Sequence, residues 1–175
     1  MLEFATWFQG TPVSVWLQST LWIVPLMQSV HIVMIGIVFV SILMVALRVM
    51  GWIRADEPFA AVLNRFTPWI AGGLAVMAAT GLILVAAEPV REFSATSFWM
   101  KMALILVAVA SGLGFRAALT PEKQLAGGDN LHFSGRSKAL AVGTVLLWLF
   151  IIFLGRAIAY DIEIWGPLSL NQRFS

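Results

Sequence analysis

The sequence contains no cysteine and few charged residues. Without cysteine the chain cannot form disulfides, attach c-type haem covalently, or hold iron–sulfur clusters and thiolate zinc sites. Charged residues make up only 11% of its 175 positions, whereas soluble domains carry about 25%. There is also no basic run that would form a nucleic-acid surface, so we expect no nucleic-acid partner. The missing charge indicates that most of the chain has a solvent other than water.

The sequence also lacks the motifs of common enzyme and transporter classes. It has no nucleophile elbow, no HExxH, no P-loop and no GxGxxG before a helix. Pro25 and Pro68 fall at the predicted starts of helices, whereas the broken helices of transporters need interruptions in their interiors. Residues 1–21 contain no Lys or Arg, so the positive region of a signal peptide is missing. We therefore expect a protein that is not an enzyme and that retains its N-terminal segment.

What the sequence does contain is four apolar runs, each long enough to cross a lipid bilayer. A hydrocarbon core of ~30 Å needs ~20 helical residues. The runs are residues 24–47, 68–87, 98–118 and 138–159. They predict an all-α integral membrane four-helix bundle that forms a single domain over residues 1–175 and has the lipid bilayer as its main partner.

The N-terminal segment, residues 1–22, predicts a pair of helices that lie on one membrane surface. Thr11 followed by Pro12 is typical of an N-cap and the first helical position. Three tryptophans alternate here with weakly polar side chains, and such aromatic rings favour the headgroup layer. The predicted fold is therefore a four-helix bundle with an N-terminal interfacial amphipathic segment.

Small residues in the second and third runs predict close helix packing. In lipid, small side chains at spacings of four allow two helices to approach each other closely. The second run contains Ala71, Gly72, Gly73, Ala75, Ala78, Ala79 and Gly81, and the third contains Ala108, Ala110, Gly112 and Gly114. We expect the second and third spans to form the tight centre of the bundle.

The Lys and Arg residues predict the orientation of the spans, because positive charge favours the cytoplasmic side. The first and third connections hold seven of them: Arg48, Arg54, Arg65, Arg116, Lys123, Arg136 and Lys138. The opposite side holds four: Arg91, Lys101, Arg156 and Arg173. This bias places the first and third connections in the cytoplasm and both termini on the periplasmic side.

His31 is the one ionisable residue well inside a predicted span, about 9 Å into the first. Such a group is by default a candidate for function. Gln28 lies on the same helix face, and Lys101 and Arg156 fall on the same half of the bundle, so these four residues form the predicted cofactor-binding set. The alternative is a neutral imidazole bound to Gln28, Thr80 or a backbone carbonyl, with both cations reaching the membrane surface.

A b-type haem is one ligand that this set can accommodate. His31 would be an axial ligand, and Lys101 and Arg156 would contact the propionates. The second axial ligand is the difficulty, because His132 is the only other histidine and lies in the predicted cytoplasmic loop. A methionine would have to replace it, or the iron would be five-coordinate; the candidates are Met77, Met100 and Met102.

Two further ligands need fewer residues. A quinone needs only a polar partner such as His31 and an apolar slot. Copper(I) suits His31 with Met27 and Met34, because thioether and imidazole are soft ligands. Methionine at helical spacing is more often packing, however, so copper is the weakest of the three and no metal site is expected.

Short motifs spread over the chain resemble a known family. They are TPxS at 11–14, QSxH at 28–31, Leu47-Arg48 and GRxIAY at 155–160, together with single residues along the spans. The single residues are Ser19, Trp22, Pro25, Trp69, Gly81, Lys101 and Trp148. This set resembles uncharacterised bacterial four-span membrane proteins grouped as a domain of unknown function. The resemblance implies a bacterial inner-membrane bundle with an intramembrane histidine, and it brings no established activity.

Two departures from that family bear on the haem hypothesis. The family carries glycine where this chain has Met34, and a histidine near the end of the third span where it has Arg116. If that histidine binds metal or haem, this chain has lost it. We therefore expect a non-catalytic subunit or accessory protein of a larger inner-membrane assembly, with membrane or periplasmic protein partners. The alternative is a redox subunit that binds b-type haem or quinone near His31 on the periplasmic side.

Overall fold

A computed structural model describes residues 2–118 and 133–170, with only the backbone for 115–118. All regular structure in this part of the chain is helical. The helices are α1 (Leu2–Gln9), α2 (Pro12–Ser19), α3 (Ile23–Met50), α4 (Phe59–Ala87), α5 (Pro89–Ser94), α6 (Thr96–Ala118), α7 (Gly135–Ala157) and α8 (Asp161–Trp165), with short 3₁₀ turns at Ile158–Tyr160 and Gly166–Leu168.

Four of these helices, α3, α4, α6 and α7, are long and apolar enough to cross a membrane. The predicted all-α four-span bundle is therefore confirmed. With 28 and 29 residues, α3 and α4 are each about 42 Å long and extend beyond a hydrocarbon core of ~30 Å. The chain is a multi-pass membrane protein.

The start of α4 differs from the prediction. The helix begins at Phe59, nine residues before the predicted span, and Pro68 lies in its interior. The earlier start is stabilised by packing, because Phe59 and Val62 are both fully buried. Proline within a membrane helix is tolerated where surrounding groups compensate the lost backbone bond, which at Pro68 is the bond to the Asn64 carbonyl. The expectation that Pro68 starts a helix is therefore wrong.

The packing order of the four spans also differs from the prediction. The most extensive contact joins α3 to α4, while α7 packs against both α3 and α6. α4 and α6 approach each other closely at few positions, so they do not form the tight centre that the small residues predicted. A core in the middle of the bundle contains buried residues from three helices: Val38, Ala108, Trp148 and Ile151.

The small residues of α4 divide between two surfaces. Gly73 is buried against α3, where a Cβ atom would lie 2.4 Å from Cγ2 of Val38. Its neighbour Gly72 has open space around it, as do Gly112 and Gly114 of α6 with respect to the described residues. The alanines of the predicted packing face, Ala71, Ala75, Ala78 and Ala79, are exposed. Close packing therefore occurs at Gly73, but with α3.

The N-terminal helices cover one end of the bundle, since α1 packs on α5 and α2 packs on α4. The predicted cap is confirmed, because Thr11 accepts a hydrogen bond from the Ser14 backbone and Pro12 is the first residue of α2. We call this the α1 end. The opposite, Arg48 end carries the α3–α4 connection and the residues before α7, which meet where the rings of Phe59 and Phe133 stack edge to face.

Candidate functional site

His31 is hydrogen-bonded to the neighbouring span. Its Nδ1 atom lies 2.8 Å from Oγ1 of Thr80 on α4. The Thr80 Oγ1 atom also lies 2.9 Å from the Val76 carbonyl and 3.2 Å from the Met77 carbonyl of its own helix. The His31 side chain is half-buried. The predicted contact between His31 and Thr80 is therefore confirmed, and the histidine faces α4.

These contacts are compatible with a neutral imidazole that carries its proton on Nδ1. When the one hydroxyl hydrogen of Thr80 is donated to the Val76 or the Met77 carbonyl, its oxygen accepts from Nδ1–H of His31. A neutral imidazole that donates from Nδ1 keeps a lone pair on Nε2. The Nε2 atom is the nitrogen through which His31 can accept a hydrogen bond or bind a metal.

Gly81 lies next to the His31 imidazole on α4. A Cβ atom at residue 81 would lie 3.6 Å from Cε1 of His31, which is ordinary van der Waals contact. Gly81 is also one of the residues that carry the family resemblance. His31, Thr80 and Gly81 together form one interhelical contact in the half of the bundle near the α1 end.

Lys101 is a half-buried cation in this half of the bundle. Its ammonium lies 5.5 Å from the ring centre of Phe98, within the range of a cation–π interaction. Its Cδ atom lies 3.8 Å from where a Cβ atom of Gly155 would be. Lys101 also interacts electrostatically with His31 and with Glu92. The side chain therefore links α6 to the Glu92 carboxyl group on α5.

Glu92, on α5, also belongs to this group, although no sequence pattern predicted it. Burial raises the pKa of its carboxyl group, and the Glu88 carboxylate adds to that rise. The cations of Lys101 and Arg91 oppose it. No sequence motif marks Glu92, because its proximity to Lys101 depends on the turn between α5 and α6.

The other predicted site residues lie apart from this group. Gln28 is exposed, and its side chain forms no hydrogen bond with another described residue. Arg156 is also exposed. Met27 packs against the cluster of Leu17, Ile23 and Ala87. The structure thus brings His31 near Lys101, while Gln28 and Arg156 point to the surroundings of the bundle.

A family profile described as "Family of unknown function (DUF6644)" matches residues 19–161. The chain belongs to this family. No curated protein and no solved structure matches the chain. The DUF6644 match includes all four spans, His31, Thr80 and Lys101, and ends on Asp161.

Asp161, the last residue of the DUF6644 match, is a second buried polar centre. Its side chain is 2% exposed. One carboxylate oxygen accepts from the backbone and the hydroxyl of Ser97, at 2.9 and 2.7 Å. The other accepts from the Thr96 backbone at 3.1 Å and the Ser169 hydroxyl at 2.6 Å. The carboxylate caps the N-terminus of α6, where negative charge is favoured by the helix dipole.

A third polar centre closes the α3–α4 connection. Arg48 is 2% exposed, and its guanidinium donates to the Glu57 carbonyl at 3.3 and 2.7 Å. The Glu57 carboxylate contacts Arg54 at 2.6 Å and Arg65 at 3.2 Å. Arg54 adopts a left-handed backbone conformation with φ of 49°. These arginines, predicted only as orientation signals, also hold the loop together.

The buried polar groups of this DUF6644 member are used in holding the bundle together. Among the described residues, every buried side-chain nitrogen and oxygen has a hydrogen-bond partner. The same part of the chain contains no cluster of three or more His, Asp or Glu side chains that could hold a metal ion. Copper held by His31, Met27 and Met34 stays a prediction without a supporting contact.

The described residues also form concave surfaces. A cavity of about 630 Å³ at the α1 end lies between the N-terminal helices, α4 and α5. A smaller groove of about 360 Å³ lies on the outer surface of α3 and α4. The residues of this α3–α4 groove are Gly36, Ile37, Val40, Ser41, Phe66 and Trp69.

Proposed function

We propose that this protein is a non-catalytic membrane subunit that binds a transmembrane helix of a larger inner-membrane assembly in the α3–α4 groove. The observation that carries the proposal is a pair of glycines, Gly36 and Gly72, with open space around both. Gly36 lines the groove. Gly72 is not part of the groove lining, but it follows Trp69 by three residues, a spacing that makes the two neighbours on the surface of α4.

The contacts among the described residues do not explain why these two positions are glycine. Neither has a positive φ angle, and an added Cβ atom would meet no described atom within 4 Å. Glycine in a helix interior costs about 1 kcal/mol relative to alanine. Small residues at a membrane helix surface allow another helix to approach closely, and the exposed Val40 and Trp69 beside them provide apolar contact area.

A comparison of glycine variants in native membranes tests this proposal. We expect Gly36→Leu and Gly72→Leu to fold normally but to release the protein from its assembly, so that it migrates at a smaller size after mild detergent extraction. Gly112→Leu is the matched control, because Gly112 is equally open but lies on α6. Unchanged size in both groove variants would contradict the proposal.

A second copy of the chain is the competing occupant of the groove. Co-expression of two differently tagged copies distinguishes the two cases. If one tag recovers the other and no further polypeptide, the groove is a homodimer interface, and the role as a subunit of a larger assembly is wrong.

The proposed membrane is the bacterial inner membrane, with the α1 end and both termini on the periplasmic side. The support is the excess of Lys and Arg at the Arg48 end. A reporter that is active only in the periplasm should be active after Ser175 and inactive within 121–135, two positions outside the described residues. The opposite pattern would invert the orientation.

One observation favours a second candidate function, a redox subunit that binds quinone or b-type haem at His31. Thr80 orients the imidazole, and in the tautomer that donates from Nδ1 the Nε2 atom keeps a lone pair. A quinol hydroxyl can donate to that atom, which makes quinone the simpler fit. Haem would need a second axial ligand, and His132 lies outside the described residues. Visible absorption of the purified protein tests haem, since His31→Ala should abolish any haem band.

A further inference from the structure

The cavity at the α1 end has a polar side and an apolar side. Its polar lining consists of Gln9, Gln18, Thr20, Glu88, Arg91 and Ser94. Its apolar lining consists of Leu21, Val24, Ala87 and Val90. The cavity lies where α3 begins and α4 ends, at the level expected for lipid headgroups. A molecule that fills it therefore has a polar head and an apolar body.

The polar side has unused hydrogen-bonding capacity. Gln18 donates from Nε2 to the Ser14 hydroxyl at 2.9 Å, so its amide oxygen stays available. Gln9 is exposed, and its side chain forms no hydrogen bond with another described residue. These two amides offer both donors and acceptors at the entrance to the cavity.

An ion pair completes this side of the cavity. Arg91 donates from Nη1 to Oε2 of Glu88, and the side chains are 48% and 42% exposed. The guanidinium has further N–H donors, and the carboxylate has a second oxygen with free lone pairs. The pair therefore presents an anion-binding group and a cation-binding group side by side.

From this arrangement we infer that the cavity binds a phospholipid whose headgroup carries both a phosphate and a primary ammonium, as phosphatidylethanolamine does. Arg91 and the Gln9 amide bind the phosphate. Glu88 and the Gln18 amide oxygen accept from the ammonium. The glycerol and the first acyl carbons lie against Val24 and the other apolar residues.

Two other common headgroups lack part of this complementarity. Phosphatidylcholine has the same net charge, but its quaternary ammonium has no N–H to donate to Glu88. Phosphatidylglycerol has the phosphate but no cation, and it places its negative charge beside the Glu88 carboxylate. The site therefore discriminates by hydrogen bonding to the ammonium, in addition to charge.

Thermal unfolding of the purified full-length protein in detergent, with each lipid added in turn, tests this inference. Phosphatidylethanolamine should raise the melting temperature by about 5 °C relative to phosphatidylcholine when it is present well above its Kd. Glu88→Gln and Arg91→Gln should each remove this difference. Both side chains are half-exposed, so the variants should fold, and Arg54→Gln, which alters an ion pair at the Arg48 end, should retain it.

Three outcomes would overturn the inference. Equal stabilisation by phosphatidylcholine would show that the ammonium is not recognised. A larger shift with phosphatidylglycerol would show a general anionic-lipid surface. The same shift with soluble phosphoethanolamine alone would show that a free headgroup, and not a membrane lipid, is the ligand. Native mass spectrometry should independently show a bound phosphatidylethanolamine on the wild type and its loss from the two variants.

Discussion

Ser97 donates two hydrogen bonds to the same carboxylate oxygen of Asp161, one from its backbone N–H at 2.9 Å and one from its hydroxyl at 2.7 Å. The Ser97 hydroxyl also accepts from the indole N–H of Trp165 at 2.8 Å. The segment after α7 is therefore fastened to the start of α6. This contact closes the α1 end of the bundle through two residues that are 64 positions apart in the chain.

Replacing Asp161 with alanine should destabilise the protein by about 2–4 kcal/mol. The loss leaves buried N–H and O–H donors at the start of α6 without an acceptor, and it removes a negative charge that favours the helix dipole. Thermal unfolding in detergent measures the change. Glu163→Gln, at an exposed carboxylate two residues away, should have no comparable effect, and equal melting temperatures for both variants would contradict this role.

The spans were predicted well from the sequence because every helix that crosses the lipid core needs a long apolar run. The sequence placed the start of α4 too late, because Asn64 and Arg65 interrupt the apolar pattern in a part of the helix that extends beyond the hydrocarbon. It could not identify the partner of the small residues. Gly73 permits close approach to any helix, and only the arrangement of the whole bundle makes that helix α3.

Adjacent glycines on α4 should respond differently to the same substitution. Gly73→Leu should destabilise the bundle by about 1–3 kcal/mol, because even its Cβ atom would overlap Val38. Gly72→Leu should leave stability nearly unchanged, because it projects into open space. Melting temperatures of the two purified variants check this, and a destabilised Gly72→Leu would show that the α3–α4 groove is filled by the chain itself.

The interhelical bond of His31 should make a modest contribution to stability. Thr80→Val removes the acceptor of the Nδ1–H bond while it keeps the shape of the side chain, and such bonds in membrane proteins contribute about 0.6–1.7 kcal/mol. Thr144→Val is the matched control, because the Thr144 hydroxyl bonds only to the Leu140 carbonyl of its own helix. If both variants unfold at the wild-type temperature, His31 does not depend on Thr80.

Stability should fall as pH rises through the titration of Glu92. Its pKa is raised in the folded protein by burial, so the folded state binds more protons than the unfolded state between the ordinary pKa and the raised one. Stability therefore decreases with increasing pH across that window. Glu92→Gln should flatten this part of the profile of melting temperature against pH, and an unchanged slope would assign the dependence to another group.

Part of the candidate site could be predicted, and part could not. His31 stood out because an ionisable side chain in an apolar span needs a polar partner, and Thr80 lay at a matching depth. Gln28 and Arg156 have the right spacing and depth but are exposed, because the arrangement of the neighbouring helices decides which side chains of a face are covered. The Asp161 and Glu92 contacts depend on turns that no local pattern encodes.

Site-specific photocrosslinking in native membranes tests the central claim most directly. A photoreactive amino acid at Gly36 or Gly72 should crosslink the protein to another membrane polypeptide through the α3–α4 groove, and the same probe at Gly112 should not. The mass of the adduct separates a distinct subunit from a second copy of the chain. Adducts of equal yield at all three positions, or adducts to lipid and to the chain itself only, would contradict the proposed role as a subunit.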